Sequence, residues 1–331
     1  MTGREGGLAL FAGWVLYRLL LRRPNLQIKG SLIVVTGASQ GVGREICKQL
    51  TARGGDVIMV ARSWGLLDAT RLEIENRGWG GHAYVEACDC SDEDSVSLMA
   101  ERVVRNHGVP DVVVNCAGQG SWRFLHEMQC DDVRGCLNVP TLATAFVAKS
   151  FLPHMTARGG GSIAIVQSPI SRAAIAGATA YDTARYALRG LHHGLCQDVS
   201  GSEITVQEIV LPGLKSDYWT NNPGSIQRMP WLTPYLGLSV STSSATAASW
   251  VIDAVEKRTS QAAYGFPLPL YLSLLNLIPG LVHAFHFLNR ISGHTLLRPL
   301  PGASALPRVQ DSFRSTPQVG ICLEFCIIPA V

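Results

Sequence analysis

Charge is scarce in this chain. Only 16% of its 331 residues are Asp, Glu, Lys or Arg, against 47% hydrophobic, a low share for a soluble domain. The 28 basic and 25 acidic side chains nearly cancel, leaving a formal charge of +3. No basic face interleaved with aromatics is present, so the sequence offers no footprint for nucleic acid. Paired cysteines are missing too. The nine cysteines are scattered, odd in number and never spaced C-x-x-C. Cys88 and Cys90 alone make a poor zinc pair, and no metal site is predicted. The cysteines read as reduced thiols of a cytosol-facing domain, several of them in core strands.

A clean membrane span of roughly 20 apolar residues is also lacking, yet two segments approach one. Gly7 to Tyr17 is apolar and is followed by Arg18, Arg22 and Arg23. It has no small-residue cleavage site, so it reads as a retained anchor rather than a removed signal. Its cationic flank predicts that the following domain stays in the cytoplasm. Gly265 to Leu288 has no Asp, Glu, Lys or Arg but holds three Pro and two His. It reads either as a segment dipping into one leaflet or as an apolar flap packed on the domain. After Arg298 the chain turns rich in Pro and Ser, and disorder is expected there.

No Gly/Ser/Pro linker interrupts residues 30 to 258. One large domain with extra terminal segments is therefore expected. Short β-branched runs alternate with amphipathic stretches. SLIVVT (31–36), DVIMVA (56–61), HAYVEACD, DVVVNCAG, SIAIVQ and ITVQEIVLPG read as strands. Helices are predicted over 41–54, after Ser91, around 137–157 and from about 179. Ser91 with Asp94 three residues later forms a capping-box pattern. Strands alternating with helices imply an α/β fold, a parallel sheet covered on both faces. Ligands of such sheets bind beyond the carboxyl ends of the strands.

TGASQGVGRE, Thr36 to Glu45, follows the first strand and opens the first helix. Gly37, Gly41 and Gly43 allow a tight turn and close approach of backbone to a pyrophosphate, with the helix N-terminus beyond. Between a strand and a helix, this is the dinucleotide fingerprint. The second strand ends in Ala61 and Arg62, where an acid would bind the ribose of NADH. A cation there suits a 2′-phosphate, so NADPH is the expected cofactor, with Ser39 adding a hydroxyl. Asp89 stands where adenine would be met, and Asn115, Ala117 and Gly118 in NCAG line the turn after the fourth strand.

TGASQGVG, NCAG, a Ser thirteen residues before a Tyr, and Pro212-Gly213 together resemble the short-chain dehydrogenase/reductases over about residues 30 to 260. The resemblance implies a Rossmann-type doubly wound sheet, an NAD(P) cofactor and a catalytic Asn, Ser, Tyr and Lys. Asn138 in CLNVP, Ser168 and Tyr181 match the first three. Arg185 stands at the Lys position, four residues after Tyr181. Free tyrosine ionises near about pH 10, and a nearby cation favours the phenolate. Residues i and i+4 share a helix face, so Arg185 supplies that charge, while Ser168 would polarise a carbonyl oxygen. Arg is bulkier than Lys and does not readily release a proton, which touches the family's ribose contact and proton relay. Pro212 and Gly213 are expected at the cofactor, and Asp217 replaces a usual Thr contact to the carboxamide.

Within the family, membrane-anchored members that reduce 3-ketodihydrosphingosine look most similar. They share the apolar N-terminal segment, a VVTG start, a strand ending VAR and an apolar C-terminal region. The expected organisation is an anchor over 1–29, a catalytic domain over 30–262, a membrane-associated segment over 263–298 and a disordered tail over 299–331. The implied setting is the endoplasmic reticulum membrane with the domain facing the cytoplasm, a long-chain lipid ketone as substrate, and a homodimer. Steroid or retinoid carbonyls, and a catalytically impaired NADPH-binding relative, stay open as alternatives.

Overall fold

The structure is a computed structural model that describes residues 24–215, 242–265 and 268–277. The segments 7–23 and 278–288, Asp217 and everything after Arg298 lie outside the described residues. Seven strands form one parallel sheet in the order β3-β2-β1-β4-β5-β6-β9. They are β1 (Leu32–Thr36), β2 (Asp56–Ala61), β3 (Ala83–Ala87), β4 (Val112–Asn115), β5 (Gly161–Gln167), β6 (Ile204–Val210) and β9 (Gln261–Ala263). A separate two-residue ladder pairs β7 (Leu214–Lys215) with β8 (Thr242–Ser243). The helices are α1 (Gly41–Ala52), α2 (Trp64–Arg77), α3 (Glu93–His107), α4 (Cys130–Leu137), α5 (Ala143–Arg158), α6 (Thr179–Asp198), α7 (Ser244–Glu256) and α8 (Leu268–Leu277).

The central strands are apolar on both faces because both faces are covered. Ile33 and Val35 of β1 pack with Val57 and Met59 of β2 against α1, α2 and α7. Val34, Ile58, Val60 and Val113 face the other way, onto α3, α5 and α6. Side chains alternate across a strand, so a run such as LIVVT fills two cores at once. Leu26 donates its N–H to the Glu256 carbonyl at 2.7 Å, and Ile28 is buried in the first core. The domain therefore begins before residue 30.

Several expectations shift. The helix after β3 is capped by Asp92, which accepts from the Ser95 N–H. Ser91 instead folds back on Asp89, donating both its N–H and its hydroxyl to Oδ1. The aspartate at 92 intercepts the capping role because Asp89 already holds Ser91 in a turn. The helical region around 137–157 is not continuous α-helix. A π turn over Asn138–Leu142 separates α4 from α5, with Ala143 N–H reaching back to the Asn138 carbonyl. The seven described cysteines are free, and four are buried. They sit on helices and strand-end loops rather than in strands. Among the described residues, one helical run, Cys130–Arg158, has the length and apolarity to cross a membrane. It is the α4–α5 run, whose Val147, Phe151 and Met155 pack onto the sheet.

The loop after β5 is anchored by a buried ion pair. Arg172 grips both carboxylate oxygens of Glu208 on β6, and the Glu208 side chain is fully buried. Removing one partner of such a pair strands the other charge. Glu208→Gln should lower unfolding stability by about 3–5 kcal/mol in urea denaturation. The joint replacement Arg172→Met with Glu208→Leu should cost clearly less.

Candidate active site

The carboxyl ends of the strands open into one cleft of about 700 Å³. Its floor is the turn from β1 into α1. A Cβ on Gly43 would lie 2.2 Å from the Gly37 carbonyl oxygen, and one on Gly37 would lie 2.8 Å from the Ala117 Cα. Both positions therefore exclude any side chain. Gly41, at φ +56°, has open space where a Cβ would project. The Gln40 side chain makes no cap on α1, and the first turn carries no acid. This donor set and this cradle fit the pyrophosphate of a dinucleotide. Thr36 ties the floor to the neighbouring strand: its Oγ1 accepts from the N–H groups of Cys116 and Ala117, both at 3.2 Å.

Gly37, Ser39, Gly41, Gly43, Arg62, Asp89, Ala117, Gly118, Ser168, Tyr181, Arg185, Pro212 and Gly213 all line the cleft. Asn115 and Asn138 do not. Asn115 ends β4 facing inward, 3% exposed, and both polar atoms of its amide are buried without a hydrogen-bond partner. Its strand continues one residue further than the turn it was expected to join. Asn138 starts the π turn, and the next residue, Val139, reaches the cleft instead. The turn is held to the site by Thr141, whose hydroxyl donates to the Ala184 carbonyl at 2.8 Å.

Among the described residues three charged side chains line the cleft: Arg62, Asp89 and Arg185. Asp89 is held below the usual carboxylate range, first by the Ser91 N–H and then by the Ser91 hydroxyl and Arg62. Near the β5 end, Arg185 is 9% exposed and its Cζ lies 5.0 Å from the centroid of the Tyr181 ring. Burial pushes the neighbouring Cys116 thiol up to about 12, with Arg185 pulling the other way. That thiol is a neutral wall, not a nucleophile. Ser168 caps a short 3-10 turn, its hydroxyl accepting from the Ile170 N–H, while its carbonyl accepts from the Ser171 hydroxyl at 2.8 Å.

Beside the polar Gln40, Gln119 and Gln167, part of the wall is apolar. Trp122, Val139, Ile170, Ile175, Leu211 and Leu214 line it. Trp122 packs against Tyr181, ring centroids 6.1 Å apart. Leu268 and Leu272 of α8 are buried behind this group, in one cluster with Trp122, Ile170 and Tyr181. The packed-flap alternative therefore describes 268–277. Sequence reasoning missed Trp122, Val139 and Gln167. Gln167 left a signal, a polar side chain closing an apolar strand beside Ser168. Trp122 and Val139 left none, because only the fold brings them in.

A seven-stranded parallel sheet with a glycine turn under a cleft at its carboxyl edge defines a Rossmann-type dinucleotide-binding domain. Residues 31–225 match the short chain dehydrogenase family, more than half of the chain, and the protein belongs to that family of oxidoreductases. An uncharacterized oxidoreductase of Mycobacterium bovis is 34% identical over 151 residues, 44% of this chain and 44% of that protein. A fatty acyl-CoA reductase of Acinetobacter baylyi is 27% identical over 56% of this chain and 63% of its own. The chain thus spans less than two thirds of these relatives. A metagenomic short-chain oxidoreductase in complex with NADP is 26% identical, with a TM-score of 0.59 over 72% of this chain and 97% of that one. A Burkholderia phymatum short chain dehydrogenase/reductase in complex with NAD shares the fold, with a TM-score of 0.67 at 16% identity over 77% of this chain and 96% of that one. Relatives by fold thus bind NAD or NADP.

One carboxyl beside Tyr181 has an unusual setting. Asp182 is 7% exposed, its Oδ2 accepts from the Ile175 N–H at 3.1 Å, and its Oδ1 has no partner. Burial pushes it up to about 8, partly offset by the Ile175 N–H. The folded state therefore binds this proton more tightly than the unfolded chain. Asp182 contributes stability that is full below the ordinary value of 3.8 and is lost as pH rises towards about 8. Asp182→Asn keeps the acceptor for Ile175 and should flatten that decline, with thermal denaturation at pH 5 and pH 8 as the check.

Proposed function

We propose that this protein is an NADPH-dependent reductase of an apolar, lipid-like ketone, with 3-ketodihydrosphingosine as preferred substrate and sphinganine as product. The observation that carries the substrate class is the apolar wall of Trp122, Val139, Ile170, Ile175, Leu211 and Leu214 beside Tyr181. A long alkyl chain gains about 0.8 kcal/mol for each methylene buried against such a wall. The fatty acyl-CoA reductase among the relatives supports a long-chain substrate. NADPH is favoured over NADH by Arg62, a cation directly after β2 where an acid would meet the ribose of NADH.

Gly37, Gly41 and Gly43 would hold the dinucleotide, whose reduced nicotinamide would supply the hydride for the carbonyl carbon. The chain supplies the rest. Tyr181 gives its hydroxyl proton to the carbonyl oxygen, and the Ser168 hydroxyl donates a hydrogen bond to the same oxygen. Arg185 holds its positive charge over the Tyr181 ring, its Cζ 5.0 Å from the ring centroid. The Pro212-Gly213 turn closes the cofactor side. In the same reading the apolar stretch 7–17, followed by Arg18, Arg22 and Arg23, keeps the enzyme at the cytoplasmic side of the endoplasmic reticulum membrane, where such a ketone resides. The outward Leu270 and Leu274 of α8 support this placement.

The test is NADPH oxidation by the full chain with 3-ketodihydrosphingosine in detergent micelles. Turnover is expected, and Tyr181→Phe should reduce kcat by about 10²–10⁴-fold. Arg62→Ala should raise KM for NADPH by about 10-fold or more while leaving KM for NADH nearly unchanged, as loss of a charge-assisted contact implies. NADPH binding without turnover on this ketone, or on steroid and retinoid carbonyls, would instead favour a non-catalytic NADPH-binding relative.

A further inference from the structure

An arginine where this family has lysine needs a reason to fit. None of the chain's five lysines lines the cleft, so Arg185 has no neighbouring amine to replace it. Its guanidinium is not loose. Nη1 donates to the Val166 carbonyl at 3.1 Å and to Oε1 of Gln167 at 3.4 Å. Its Nε is buried without a partner. Nη2 lies beside the Gly118 turn, where a Cβ on Gly118 would come within 3.1 Å of it.

Gln167 is the hub of these contacts. Its side chain, in a residue only 3% exposed, meets three groups. Nε2 donates to the backbone carbonyl of Arg185 at 3.0 Å. Oε1 accepts from the Ser168 N–H at 2.9 Å as well as from Arg185 Nη1. One amide therefore joins the end of β5, the residue carrying the Ser168 hydroxyl, and both backbone and side chain of Arg185. A guanidinium is a planar fork, and fixing one arm sets the direction of the other. A lysine ammonium is a single point on a flexible stem and needs no such clamp.

We propose that Gln167 is the positioning residue that lets an arginine serve at this site. Its amide and the Val166 carbonyl hold one arm of Arg185 at the strand end, and the other arm, Nη2, is turned past Gly118 toward the ribose of the nicotinamide cofactor. This rests on the functional reading above, and it adds a conditional dependence. Gln167 and Gly118 matter to cofactor binding because residue 185 is an arginine. The backbone contacts of Gln167 do not depend on that side chain, so they contribute equally whichever residue stands there.

A double-mutant cycle on the full chain separates the two contributions. NADPH affinity is read by fluorescence titration, with no turnover needed, for wild type, Gln167→Met, Arg185→Lys and the double variant. Thermal denaturation of each reports folding. Gln167→Met should weaken NADPH binding by about tenfold in the wild-type background and by less than about threefold in the Arg185→Lys background. Gly118→Ala gives a second cycle that leaves the β5 end intact, and it should weaken binding clearly more in the wild type than beside Arg185→Lys. Equal losses in both backgrounds would reduce Gln167 to a structural residue and overturn the proposal while leaving the functional reading in place. Failure of the wild type to bind NADPH would overturn the functional reading and this proposal with it.

Discussion

The site depends on how closely two strand ends approach each other. The turn leaving β1 and the turn leaving β4 come so near that Gly37 can carry no side chain, and Gly43 can carry none because the first turn of α1 lies against the Gly37 carbonyl. Thr36 then spans the gap, its hydroxyl oxygen taking the N–H groups of Cys116 and Ala117. Burying those backbone donors without a partner would be costly, so the threonine is part of the floor rather than an ornament of it. From this junction the α1 N-terminus faces one half of the cleft and the NCAG turn faces the other. Displacement of either strand end moves both halves together.

The second constraint is the placing of charge. A buried guanidinium without hydrogen bonds is expensive, and Arg185 meets that cost with backbone and amide oxygens rather than with a carboxylate. This leaves its net charge uncompensated next to Tyr181, where a paired acid would have cancelled it. The contrast with Arg172 is instructive. Arg172 sits a few residues after Ser168, is buried to a similar degree, and is neutralised in full by Glu208. Two arginines on neighbouring segments thus divide the work: one pins a loop, and the other keeps its field for the cleft.

Much of this was legible in the sequence where a pattern is local. The strand run DVIMVA matches β2 residue for residue, and the glycine spacing in TGASQGVG places the floor of the cleft. Ser168, Tyr181 and Arg185 are separated in sequence but meet in one cleft, and the family pattern anticipated that meeting. Position alone misled where neighbours compete. Ser91 has the residue type and spacing of a cap but is already bonded to Asp89. Asn115 is polar and next to a glycine turn, yet the strand carries it under the surface. Trp122, Ile170 and Ile175 belong to loops without periodicity, and only the return of α6 and α8 gathers them around Tyr181.

The π turn at Asn138–Leu142 amounts to one inserted residue within a helix. An α-helix advances by about 100° of rotation per residue. The insertion therefore rotates everything after it by that angle relative to everything before. With this offset in place, Val147, Phe151 and Met155 of α5 face the sheet. A homologue that lost one residue between 138 and 142 would keep every side chain of α5 and still present the wrong ones to the sheet. The length of this short stretch, more than its composition, is what descent within the fold must preserve.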